Sequence, residues 1–201
     1  MLWFLFALTA TAEDDAVSAQ SMVGHFEAST HAMLAVGTGE LRDARRQARA
    51  LAKQNGVPAP LKEAAQVLAG CHKIDCSGPA MANMGQTCAA CHVETGKGPR
   101  VPRMTQLPGR NDRERHSFAA LFMWIGLVTP QEGAWLVGVG GAVPPTATDE
   151  TRRNVRPIEA RFAQLVVAAE QTVDWYQRGD LFGEMLTLCA ACHDASGLKN
   201  D

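Results

Sequence analysis

The pentapeptide Cys-Ala-Ala-Cys-His occurs twice, at 88–92 and again at 189–193. Two thiols three positions apart share one face of a helix, so both can reach the same planar group. An imidazole on the next residue drops beneath it. This is the attachment pattern of c-type haem, with two thioethers to the porphyrin and a proximal histidine nitrogen on iron. Two copies with identical filler residues imply two covalently attached haem c groups. Cys88, Cys91 and His92 would hold one; Cys189, Cys192 and His193 would hold the other.

Two other chemistries use paired cysteines. A thioredoxin-like dithiol sits at a strand-to-helix junction of an α/β domain, and this chain has almost no alternating strand pattern. Zinc could take two Cys-x-x-Cys pairs, but these lie 101 residues apart, far beyond a compact ribbon. The repeated following histidine has no use in either.

The elements that position the motifs repeat as well. Met81, Met84, Cys88 and Cys91 follow the same i, i+3, i+7, i+10 pattern as Phe182, Met185, Cys189 and Cys192. Each motif thus ends a helix with a continuous buried stripe. Upstream, His25 precedes Thr38 by 13 residues and His116 precedes Thr129 by 13. Both threonines read as N-caps opening a second helix.

The chain is therefore expected to be all-α, with two tandem four-helix-bundle units that each close on a haem-binding helix. In the first unit (13–94), helices are expected over 15–36, 40–54, from about 60 with Leu61, Ala65 and Leu68 inward, and over the motif. In the second (111–201), they are expected over 111–128, 130–139, 150–176 with Tyr176 inward, and 181–194. Residues 95–110 hold Gly96, Gly98, Pro99, Pro102, Pro108 and Gly109 and read as a linker.

Residues 1–12 contain an apolar run and end in Ala10-Thr11-Ala12 before acidic Glu13, an A-x-A cleavage pattern. They read as a signal peptide without basic residues at its start, and are too short to span a bilayer, which needs about 20 apolar residues. Export to the periplasm is the expectation, with no transmembrane segment after signal removal. In an exported chain the remaining Cys71 and Cys76 are candidates for a disulfide across a helix end, with free buried thiols as the alternative. A net charge of −2 gives no reason to expect nucleic acid as a partner.

Helix order and the position of Cys-x-x-Cys-His on each closing helix resemble the cytochrome c′ (class II) four-helix bundle, here in tandem. The resemblance covers nearly the whole mature chain in helix order, and its specific part is confined to 88–92 and 189–193. That family commonly leaves the sixth iron position empty behind an apolar side chain on helix one. Here helix one carries His25 or His116, so the closer likeness is to bis-histidine bundles.

A histidine on helix one faces the closing helix, so His25 and His116 are expected as distal iron ligands opposite His92 and His193. His31 lies about 240° around the helix from His25 and faces elsewhere; His72 reads as structural. Methionine is the rival ligand, through Met22, Met33 or Met123. Met84 and Met185 share a helix with the proximal histidine and are read as packing on the porphyrin.

These readings imply an electron carrier rather than an enzyme, a dihaem cytochrome with two six-coordinate irons serving a redox protein donor and acceptor. The alternative is one open iron that binds or reduces nitric oxide, carbon monoxide or peroxide. Its motive is Phe118, Phe122, Trp124 and Trp135 as the wall of a dry distal pocket in the second unit. A third reading is a subunit of a larger redox complex, docked through Lys97, Arg100, Arg103, Arg110, Arg113 and Arg115.

Overall fold

The computed structural model describes residues 19–96, 98, 105–109, 111–142 and 149–197. The expected signal peptide and residues 97, 99–104 and 110 of the expected linker lie outside them. Among the described residues all regular structure is helical. The helices are α1 (Ala19–Thr38), α2 (Leu41–Lys53), α3 (Ala59–Gly70), α4 (Ile74–Thr95), α5 (Asp112–Val128), α6 (Glu132–Gly141), α7 (Asp149–Gln171) and α8 (Trp175–Ala195). None is long and apolar enough to cross a membrane.

Local chemistry sets the ends. Pro58 precedes α3 and Pro60 lies in its first turn, where no N–H is needed. The Asn111 side chain accepts from Glu114 N and starts α5; the Asp174 side chain accepts from Gln177 N and starts α8. Gly96 stops α4 in the left-handed conformation, its N–H bonded to His92 O.

Three boundary expectations are corrected. Thr38 and Thr129 are not N-caps: their hydroxyls bond back to Leu34 O and Ile125 O, one turn earlier, a local alternative open to threonine. Helix three of the second half stops at Gln171, because Asp174 caps a new helix. Tyr176 therefore belongs to α8 and is 54% exposed rather than inward.

Helices α4 and α8 run antiparallel and cross where their backbones nearly touch. A Cβ on Gly183 would lie 2.9 Å from both Ala82 Cβ and Gly78 O. Gln86 Nε2 donates to Tyr176 O at 2.7 Å and Asp180 Oδ1 at 3.0 Å. Ala82 and Gly183 are equivalent positions of the two halves, 101 residues apart, so the crossing is a local two-fold. The motifs leave it in opposite directions. About 15 Å of helix separates the histidine of each motif from the crossing, at 1.5 Å per residue.

The halves do not close on themselves alone. Helix α1 packs on α8 as well as on α4, and α5 packs on α4 as well as on α8. Trp124 of α5 stacks on Phe182 of α8, ring centroids 5.9 Å apart. One continuous core joins Met33, Leu51, Leu68, Met81 and Met84 of the first half to Trp124, Leu127, Trp135, Phe162, Met185 and Leu186 of the second. Helices α2–α3 and α6–α7 flank this centre on either side.

Cys71, which caps α3, and Cys76, in the first turn of α4, form a disulfide with Cα atoms 5.6 Å apart. So short a loop contributes about 2 kcal/mol by chain entropy and pins the α3–α4 corner.

Candidate haem sites

Each motif occupies the last turns of its helix. In the first, Ala89 is buried while Cys88, Cys91 and His92 are half-buried on the cavity side. His92 Nδ1 lies 2.6 Å from Val128 O. A carbonyl only accepts, so Nδ1 carries the proton and donates, and Nε2 keeps its lone pair. The acceptor sits at the C-terminal end of α5, where unpaired carbonyls are available.

Cys88, Cys91 and His92 line a cavity of about 590 Å³. Met22, His25, Phe26 and Ser29 of α1 form its opposite wall. Pro58, Pro60 and Leu61 close one side at the α2–α3 corner, and Val128 and Tyr176 enter from the second half. His25 is only 3% exposed. Its Nε2 is 3.1 Å from Ser21 Oγ, which donates to Asn55 O at 3.3 Å. Its Nδ1 is buried with no partner, which costs about 1–3 kcal/mol unless something binds there.

The second site repeats the set of groups in a tighter space. His116, Phe162, Leu188, Cys189, Cys192 and His193 line a cavity of about 20 Å³. His116 Nδ1 is again buried and unpartnered. Burial holds the His25, His116 and His193 imidazoles below their usual range. The charge of His193 adds to this at His116, while the carbonyls of Asn55 and Ala142 oppose it at His25 and His116 respectively. Burial thus favours the neutral form of all three, the form with a lone pair for a metal.

The thiols behave differently from a redox dithiol. Burial pushes Cys88 and Cys189 up to about 12, and the thiol of the partner cysteine adds to the effect. Cys192 is raised too, mainly by burial. A nucleophilic dithiol needs the opposite shift and a helix N-terminus; these cysteines lie at C-terminal ends. The two Cys-x-x-Cys pairs also lie on opposite sides of the α4–α8 crossing, so they do not converge on one zinc. The donor set at each site, two thiols and two imidazoles, suits haem; the first cavity has room for a planar group, whereas the second is closed around its donors.

The structure thus brings His25 to the first motif and His116 to the second. His31 and His72 are exposed and outside both cavities. Met22 lines the first cavity. Met33 and Met123 are buried in the core, away from both. Met84 and Met185 lie in the core between the halves and in neither cavity wall. Both were expected against the porphyrin; both are fully buried and belong to the core that joins the two halves. Phe118, Phe122, Trp124 and Trp135 likewise do not line the second cavity: Phe118 is partly exposed, and the others are buried elsewhere. Of the basic residues read as a docking run, Lys97, Arg100, Arg103 and Arg110 lie outside the described residues.

Sequence reasoning missed Val128, Tyr176 and Ser21. The pattern Asp174-x-x-Gln177 is a capping signal that could have placed Tyr176 on α8. A carbonyl acceptor leaves no mark in side-chain spacing. Comparison with known protein families, with curated proteins and with solved structures finds no match to this chain.

Proposed function

We propose that this chain is an exported dihaem c-type cytochrome that carries electrons through two six-coordinate haems. One observation carries the reading: in both halves, the helix-one histidine lines the same cavity as its own Cys-x-x-Cys-His motif. A chance histidine would not recur at both.

Cys88 and Cys91, and Cys189 and Cys192, are the thioether attachments. His92 and His193 would be the proximal ligands, His25 and His116 the distal ones. When bound, the haem irons supply a reversible one-electron change.

The chain's own groups then set how that change occurs. The Val128 carbonyl fixes the tautomer of His92 and makes its free nitrogen more basic. Ser21 holds the His25 ring from behind. With haem bound, two neutral histidine nitrogens per iron would leave no position for a substrate and would place the potential below that of His/Met coordination.

The test is to express the full chain with a c-type haem attachment system and record spectra with and without carbon monoxide. Two haems per chain, low-spin in both oxidation states and indifferent to carbon monoxide, are expected. A high-spin ferrous form that takes carbon monoxide readily defeats the electron-carrier reading.

A further inference from the structure

The halves repeat the same helices, so charge that one carries and the other lacks is not needed to build the fold. Residues 40–73, which hold α2 and α3, carry seven Lys and Arg against three Asp and Glu. The equivalent residues 131–174, which hold α6 and α7, carry four against six.

Helix α2 alone bears Arg42, Arg45, Arg46, Arg49 and Lys53 at spacings of three and four, where like charges repel one another. Arg46 is paired with Asp43 at 2.9 Å and Arg45 Nε donates to Ala69 O. Among the described residues, Arg42, Arg49, Lys53 and Lys62 have no acidic partner. Arg49, Lys53 and Lys62, with Gln54, Asn55 and Gln66, line a groove of about 400 Å³ between α2 and α3. The acids of this face, Glu40, Asp43 and Glu63, are absent from its wall.

The groove adjoins the first cavity. Asn55 lies in the groove and its carbonyl accepts from Ser21, which is bonded to His25. Lys62 lines the groove, and its neighbour Leu61 lines the cavity.

We infer that the α2–α3 face is the docking surface for an acidic redox protein, which exchanges electrons with the first site rather than the second. The inference rests on the dihaem reading. One electron would pass from the partner's reduced centre to an oxidised haem held at the first site, with no proton or bond change. Free cations around the groove attract the partner's carboxylates, and groove and cavity share the α2–α3 corner, which brings the two redox centres close.

Oxidised plant-type ferredoxin, an acidic redox protein, is the probe. Its affinity for the haem-loaded full chain is measured by calorimetry from about 20 to about 200 mM salt, a range over which exposed charges become screened. Affinity is expected to fall roughly tenfold over that range, and roughly tenfold again in the triple variant Arg49→Glu/Lys53→Glu/Lys62→Glu. Arg156→Glu, on α7, is expected to change nothing.

Reduction by reduced ferredoxin should follow the same order in a Cys189→Ala/Cys192→Ala chain, which keeps only the first attachment motif. Where the triple variant melts early by circular dichroism, Lys53→Gln/Lys62→Gln replaces it, with a smaller loss in the same direction. No loss on charge reversal, or an equal loss in Arg156→Glu, overturns the docking surface. Tighter binding of duplex DNA or anionic vesicles than of ferredoxin at the same salt overturns it in favour of a polyanion. A chain that carries no haem in its absorption spectrum sinks the underlying reading instead, and this is read before any titration.

Discussion

His92 of the first half donates its Nδ1 hydrogen to the carbonyl of Val128, the last helical residue of α5 in the second half, at 2.6 Å. The residue that would hold one iron is therefore oriented by the other half of the molecule. Tyr176 adds a second such dependence at the same cavity.

It follows that neither half is an independent unit. A chain ending at residue 110 would lose the Val128 acceptor, the Phe182 face of the core and the whole α4–α8 crossing. Circular dichroism should show it melting without a cooperative transition, while the full chain unfolds in one step. A truncated first half with a sharp transition near that of the full chain would contradict the shared core.

Each helix-one imidazole should report on its own haem. His25→Ala should convert about half of the haem signal to a high-spin, carbon monoxide-binding form, and His116→Ala the other half. Met22→Leu should leave the spectrum unchanged, although Met22 lines the first cavity. A loss of the low-spin signal in Met22→Leu and not in His25→Ala would reverse the ligand assignment.

The α4–α8 crossing should tolerate little added bulk. In Gly183→Ala the new methyl would meet Ala82 Cβ and Gly78 O at 2.9 Å, and neither can rotate away. Overpacking of this kind costs about 1–3 kcal/mol. The melting temperature should fall by several degrees, whereas Gly133→Ala, whose added Cβ meets nothing within 4 Å, should not lower it through a clash.

Acid should destabilise the haem-free chain through its buried imidazoles. His25, His116 and His193 have folded values held below the ordinary 6.5 by burial, so the unfolded chain takes up protons first as pH falls. Their contribution is complete above pH 6.5 and declines as pH drops through that value toward the lower folded ones. The urea midpoint should therefore fall between about pH 7.5 and about pH 5. The double variant His25→Leu/His116→Leu should flatten that decline. An unchanged slope would place the acid sensitivity elsewhere.

Much of the fold was legible because helices announce themselves locally. Ala44, Ala48 and Leu51 recur at helical spacing and are buried; Leu61, Ala65 and Leu68 do the same. The break before α8 was also written, in Asp174 and Gln177, but the apolar run through Phe162, Leu165 and Ala169 outweighed it. The threonines after each helix one were misread because a hydroxyl serves a cap or the preceding turn equally well.

By itself the sequence determined the helical class and the pairing of His25 with the first motif and His116 with the second, since spacing within one helix and repetition along the chain are local facts. Only the tertiary structure decided that the halves interlock, that the motifs face away from each other across Gly183 and Ala82, and that Val128 and Tyr176 complete the first site. Those outcomes depend on which small residues let two helices meet, and close approach between distant segments has no period along the chain to reveal it.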